Sequence, residues 1–205
     1  MNTGFASLTY LKAQLLAEAL RAGTEYDAAL TLLGQGVAAQ FEDFCNRKFA
    51  RVVGDTYTVS ADRNHLYVPR YPVESVSGVE LKTSSADGFL VQPASTIVNT
   101  NLESGFVYFS GELGPFWAHL RVTYTGGYWW DITEDGSDSL PSGATAVPEH
   151  LRLAWVLQCK EVWNQNDKLG VGLTAEVSKT PTFAKLDLVP QVKSILSGLI
   201  RYAIT

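Results

Sequence analysis

The stretch from Ala28 to Phe49, AALTLLGQGVAAQFEDFCNRKF, decides the fold. Its apolar residues Leu30, Leu33, Val37, Phe41 and Phe44 fall three and four apart, which is the spacing of one buried helix face. Just beyond it the texture changes. From Val52 to Tyr128 the chain runs in short alternating segments, such as Tyr57-Thr58-Val59 and Leu120-Arg121-Val122-Thr123-Tyr124, broken by Gly, Pro, Asn and Asp. That is the pattern of strands joined by turns. The helical period returns from Pro148 through Trp163 and again from Gln191 to Ile204. This order predicts an α+β fold: a small helical bundle from the N- and C-terminal segments with an antiparallel β-rich insert. The expected divisions are 1–51 plus 147–205 for the bundle, 52–130 for the insert and 131–146 for an acidic loop.

Ser7 or Thr9 is placed to cap a first helix that carries Leu15, Leu16, Ala19 and Leu20 and ends at Ala22-Gly23. The second helix starts near Asp27 and closes at Asn46-Arg47-Lys48, where cations suit the last carbonyls. Strands are expected at Leu66–Val68, Val73–Leu81, Phe89–Val91, Gly105–Ser110 and Ala118–Thr125. Gly111 and Gly114-Pro115 read as the turn of a hairpin joining the last two. Asp131 to Ala146 is rich in Asp, Glu, Gly, Ser and Thr and reads as a long loop. Pro148 suits a first helical turn, and Leu151, Ala154, Trp155, Leu157, Gln158 and Val162 define the face and flank of the helix that follows. Lys168 to Ala184 has little helical or strand period and reads as an extended arm before the helix that Pro190 starts.

A chain of 205 residues fits one domain, or one domain with a sizeable insert. Sixteen cationic against 21 acidic side chains give a net charge of −5. That is too acidic for the usual basic footprint of a duplex binder, and it argues against adhesion to an anionic membrane. No run of about 18 apolar residues is present, so no membrane span is expected. Neither is a secretory signal, so synthesis in a reducing cytoplasm is the expectation. Cys45 and Cys159 each sit in a helical apolar pattern without metal-ligand spacing, and read as small core hydrophobes. A disulfide between them would need the two helices to lie side by side.

The motifs that could carry chemistry weaken when their spacing is checked. Gly34-Gln35-Gly36-Val37-Ala38-Ala39 has the outline of a dinucleotide fingerprint, but it lies inside a helical period rather than after a strand. Close approach of another helix is the better reason for those glycines. Asp131, Glu134, Asp135, Gly136 and Asp138 suggest a calcium loop, yet Thr133 and Ser142 fall where ligands are required. His65, His119 and His150 are scattered, with no nucleophile elbow and no H-E-x-x-H. No catalytic, cofactor-binding or metal-binding residue is expected, and a hydrolase is the weakest reading. Tyr124, Tyr128, Trp129 and Trp130 around Gly126-Gly127 could cover the junction of sheet and helices, or stack on sugars or a partner protein.

Taken together, four stretches resemble the head–tail connector (adaptor) proteins of long-tailed bacteriophages, which attach beneath the portal ring. They are Leu8–Lys12; the helix end Phe41–Phe49; Leu66–Ser77 with its strand–Pro-Val–strand bend; and Val122–Tyr128 followed by Val147–Leu151 and the helix of Trp163. Val189–Leu196 also fits the family's closing helix. The resemblance implies a phage neck protein made in the host cytoplasm: a homo-oligomeric ring, twelve subunits matching the portal, that joins the portal protein to tail completion or stopper proteins. Genomic DNA would pass through its channel without sequence-specific binding. It further implies a portal-docking C-terminal portion, residues 168–205, with Val192, Ile195, Leu199 and Ile200 as the contact candidates. The alternative is a virion carbohydrate- or receptor-binding module resting on Tyr128, Trp129 and Trp130.

Overall fold

The helical period of Ala28–Phe49 is realised as a 19-residue helix, Asp27–Cys45, in a computed structural model that describes residues 3–84, 86–131, 139–166 and 187–201. With Leu8–Leu15 before it, and Glu149–Asn166 and Pro190–Ser197 after, it makes four helices among the described residues, α1 to α4. The chain divides into two compact units. One comprises residues 1–46, 130–139 and 147–205; the other comprises 47–129 and 140–146. Helices and antiparallel sheets together make the fold α+β, as the alternation of textures predicts.

In the helical unit, α1 packs on α2 and α3, and α4 packs on the same two helices. Leu11, Leu30, Phe41, Leu151, Trp155 and Leu196 are fully buried there. Each such side chain contributes about 1.5–3 kcal/mol relative to exposure. Ser7 caps α1, its Oγ accepting from the Tyr10 N–H at 3.2 Å. The first helix does not run to Leu20. Leu16 turns extended and Glu18–Leu20 form one 3₁₀ turn, because the buried Lys12 ammonium draws the chain back by donating to the Gly23 carbonyl at 2.7 Å and pairing with Asp27.

Two further expectations change at helix ends and faces. Asn46 terminates α2 in the left-handed region (φ 49°, ψ 41°), its N–H returning to the Glu42 and Asp43 carbonyls. Arg47 does not face those carbonyls; it donates to the Tyr71 carbonyl within the other unit. Of the two glycines in α2, Gly34 is packed and Gly36 is open. A Cβ on Gly34 would collide with the Thr3 carbonyl and stand 2.9 Å from the Trp155 ring of α3. The Trp155 indole N–H donates to the Gly34 carbonyl at 2.9 Å. Close approach, not phosphate binding, accounts for Gly34.

The second unit is built, among the described residues, from nine strands: β1 Val52–Ser60, β2 His65–Tyr67, β3 Val73–Lys82, β4 Leu90–Val91, β5 Ile97–Asn101, β6 Phe106–Phe109, β7 His119–Gly126, β8 Tyr128–Trp129 and β9 Thr145–Ala146. One antiparallel sheet has the order β1-β7-β3-β4 and a second has β2-β6-β5, while β8 and β9 pair in parallel. Alternate residues of β7, Leu120, Val122 and Tyr124, face a core shared with Leu66, Val107 and Phe109 of the second sheet. The expected hairpin between β6 and β7 does not form. The two strands belong to different sheets, and β6 pairs instead with β2 and β5. β5, β8 and β9 have no counterpart among the expected strands.

Gly127 closes this unit. Its φ of +99° and the Ala50 carbonyl 2.5 Å from any added Cβ leave room for glycine alone. The bonds Gly127 N–H to Pro72 O (2.8 Å) and Tyr128 N–H to Phe49 O (2.7 Å) follow from that close approach.

Candidate functional site

The residues singled out for portal docking lie on or just after α4. Val192 and Leu196 are fully buried on one face of this helix, whereas Ile195, Leu199 and Ile200 are half-buried. Helix α4 stops at Ser197, so Leu199 and Ile200 follow its end. What fixes the helix is a buried amide. Gln158 of α3 accepts from the Val189 N–H at 3.0 Å and donates to the Asp187 carbonyl at 3.3 Å, holding the two residues that lead into α4. Beyond the helix, the Arg201 N–H donates to the Cys45 carbonyl at 2.8 Å. The chain is thus held on both sides of α4, and Val192 belongs to the unit's core. The arm at 168–184 lies outside the described residues.

The three histidines do not come together within a unit. His65 is on β2 beside Asn64, His119 is exposed at the start of β7, and His150 is exposed at the start of α3 in the helical unit. Among the described residues no group of three or more His, Cys, Asp and Glu is arranged to hold a metal. Cys45 and Cys159 are both buried and form no disulfide with each other, and burial pushes the Cys159 thiol well above its ordinary range. Most of the acidic loop's charge, residues 132–138, lies outside the described residues. No described helix is long and apolar enough to cross a membrane.

The aromatic cluster is half-buried rather than displayed. Tyr128 stacks on Phe49 at 6.4 Å within the sheet unit, and Trp130 meets Phe5 edge-on at 5.4 Å in the helical unit. Beside Tyr128, the buried Arg47 guanidinium lies 3.3 Å from the Tyr71 ring centre and 4.8 Å from that of Phe49. This is a packed cation–π site. Burial is the largest cause raising the Tyr71 phenol above its ordinary range, and it does the same for Tyr124, where nearby Asp55 adds to the effect.

Cross-strand charge pairs set the electrostatics of the sheet unit. Arg51 grips Glu74 with two bonds, at 2.6 and 2.9 Å. Arg70 bonds Asp55 at 2.8 Å and also donates to the Ala50 carbonyl. Arg121 bonds Glu80 at 2.7 Å while lying 4.0 Å from the Phe89 ring centre. These pairs fix β1, β3 and β7 relative to their neighbours, a structural use of charge rather than a catalytic one.

Two exposed apolar features escape a reading of the sequence alone. Phe116 and Trp117, on the loop before β7, are 70% and 61% exposed and meet edge-to-face at 5.0 Å. On the helical unit, a groove of about 450 Å³ opens between α1 and α3, lined by Tyr10, Gln14, Glu149, His150, Leu153 and Val156. Leu153 is 54% exposed at its rim, and Leu157 is exposed one turn further along. The hydrogen bond between Arg152 and Glu149 holds that carboxyl below its ordinary range, so a charged pair sits beside the groove.

No protein-family model and no curated protein matches the sequence. Solved structures do share the fold. A chain in a structure described as the neck of an empty GTA particle computed with C6 symmetry matches with a TM-score of 0.58 and 12% identity, over 100% of this chain and 95% of that one. A chain from the virion of a native gene transfer agent (GTA) particle matches with a TM-score of 0.59 and 13% identity, over 98% and 92%. A third, in the neck of a native GTA particle computed with C12 symmetry, gives 0.53 and 12%, over 97% and 90%. At such identity the likeness is one of fold, and it takes in both units of the chain.

Proposed function

We propose that the chain is a structural subunit of a phage-type virion neck, forming a ring between the portal and the tail-side stopper proteins. The observation that carries this reading is the whole-length likeness in fold to chains from gene transfer agent necks and virions. The sequence resemblance to head–tail connectors supports it independently. A ring of identical subunits is the assembly that closes head-to-tail contacts, and twelve copies would match a twelve-fold portal. Contacts of modest individual strength suffice, because one ring docking on another makes many at high effective concentration.

In this reading the C-terminal portion docks on the portal, with Ile195, Leu199 and Ile200 as contacts and Val192 as their support. DNA passes through the ring without being read, in keeping with a net charge of −5. No catalytic residue, cofactor or metal is part of the proposal. The sugar- or receptor-binding alternative has less behind it, since Tyr128, Trp129 and Trp130 are half-buried.

Co-sedimentation with the portal protein of the same particle tests the reading. Stoichiometric binding that Ile195→Asp with Leu199→Asp abolishes, in a chain that keeps its helical circular dichroism, is the expected result. Failure of the unmodified chain to bind portal would contradict it. Submicromolar binding to a defined duplex with sequence preference, near physiological salt, would contradict the conduit role.

A further inference from the structure

The geometry points to a head-to-tail seam between copies of this chain, in which Phe116 and Trp117 of one copy fill the α1–α3 groove of the next. This inference rests on the ring reading and specifies which surfaces close it.

The aromatic pair is built to be presented. Its loop is held to the end of β1 by the Leu113 and Gly114 N–H groups donating to the Ala61 carbonyl at 3.1 Å, and by the Ala61 N–H to the Ala118 carbonyl at 2.9 Å. The Ser60 hydroxyl donates to the Phe116 carbonyl at 2.6 Å, fixing the residue that carries the first ring. Two large rings are therefore displayed in a defined arrangement with little left to order on binding, which is the property of a preorganised anchor. Together they offer on the order of 200–300 Å² of apolar surface, and Trp is among the residues enriched at energetic centres of interfaces.

The groove has the complementary shape and chemistry. It is concave where the loop projects, and Leu153, Val156 and the Tyr10 ring give it an apolar lining. Gln14 and the Glu149 carboxylate at its wall can accept from an indole N–H, the one polar group on the incoming rings. The Arg152 guanidinium lies 5.2 Å from the Tyr10 ring centre at the same site, so an incoming ring also meets a cation. Anchor and groove are different surfaces on different units, so their contact, repeated in one sense around an axis, closes a cyclic ring, while a reciprocal exchange would stop at a dimer; the ring reading selects the first.

The test pairs Trp117→Cys with Leu153→Cys in the full chain. Both positions are exposed and the native Cys45 and Cys159 are buried, so the introduced thiols alone are available for mild oxidation. The expected result is a ladder of disulfide-linked chains on a non-reducing gel for the double variant, and none for either single variant. Trp117→Ala in the otherwise native chain should weaken subunit association at least about tenfold without changing its thermal unfolding. Rings seen by electron microscopy without a ladder, or a dimer from Trp117→Cys alone, would overturn the seam and leave the neck reading standing. Absence of rings from the native chain, alone and with portal, would overturn both.

Discussion

In the helical unit a buried amide and a buried indole tie one helix to the next, whereas in the sheet unit partly exposed ion pairs run across strands. Gln158 clamps the entry to α4, and the Trp155 indole ties α3 to α2 at Gly34. Each acts once, at a place where two helices must meet at one depth. The sheet unit repeats a different device, with Arg51–Glu74, Arg70–Asp55 and Arg121–Glu80 each linking one strand or bend to another. Helix positions are thus set by close packing and single clamps, while strand register is set by alternation reinforced with charge. The helical unit should accordingly be sensitive to shape and the sheet unit to pH.

The largest effect is expected at the joint itself. Trp155→Ala removes a fully buried ring and its hydrogen bond, and should cost about 3–5 kcal/mol in denaturant unfolding. Gly34→Ala adds only a methyl group but drives it into the Thr3 backbone, so a loss of about 1–3 kcal/mol is expected. Gly36→Ala, two residues away on the same helix, meets nothing within 4 Å and should be neutral or stabilising by up to about 1 kcal/mol. Equal effects for the two glycines would break the claim that packing positions these helices.

Gln158→Leu separates local from global stability. It leaves the Val189 N–H and the Asp187 carbonyl without their partner, a loss of about 1–3 kcal/mol. Hydrogen exchange should quicken in residues 189–197 well before α2 is affected. The smallest effect belongs to the sheet. The Arg121 hydrogen bond holds the Glu80 carboxyl below its ordinary value of 4.5. With the folded value lowered, this stabilisation is present above the unfolded value and lost as pH falls through the folded one. Glu80→Gln should flatten the acid limb of the stability profile slightly, because the pair is only partly buried and solvent screens it. An unchanged acid limb would remove this pair from the comparison.

Much of the fold is legible in local pattern alone. The apolar period of α2 and the alternation of β1, β3 and β7 are direct consequences of burying one helix stripe or one sheet face. Pairing is less accessible. Phe106–Phe109 and His119–Gly126 follow one another across a glycine-bearing turn, yet they serve different sheets, because partner choice depends on segments such as His65–Tyr67 that lie far away in sequence. Periodicity alone also does not separate face from flank in α3, where Trp155 is buried and Leu157 exposed, since the helix carries apolar residues around more than one face and only packing separates them. Phe116-Trp117 beside Gly114-Pro115 reads as an ordinary turn, and a sequence does not say which of its aromatics stay outside. Arg47 reads as a helix-end cation because its ring partners, Tyr71 and Tyr128, are distant along the chain and meet it only through the fold.

Electron microscopy of the purified chain, alone and mixed with portal protein, decides whether this fold serves as one subunit of a neck ring as proposed. Class averages of closed rings with an open channel and rotational symmetry, twelve-fold on the portal, are the expected result. A chain that remains monomeric at all concentrations and leaves the portal undecorated would contradict it.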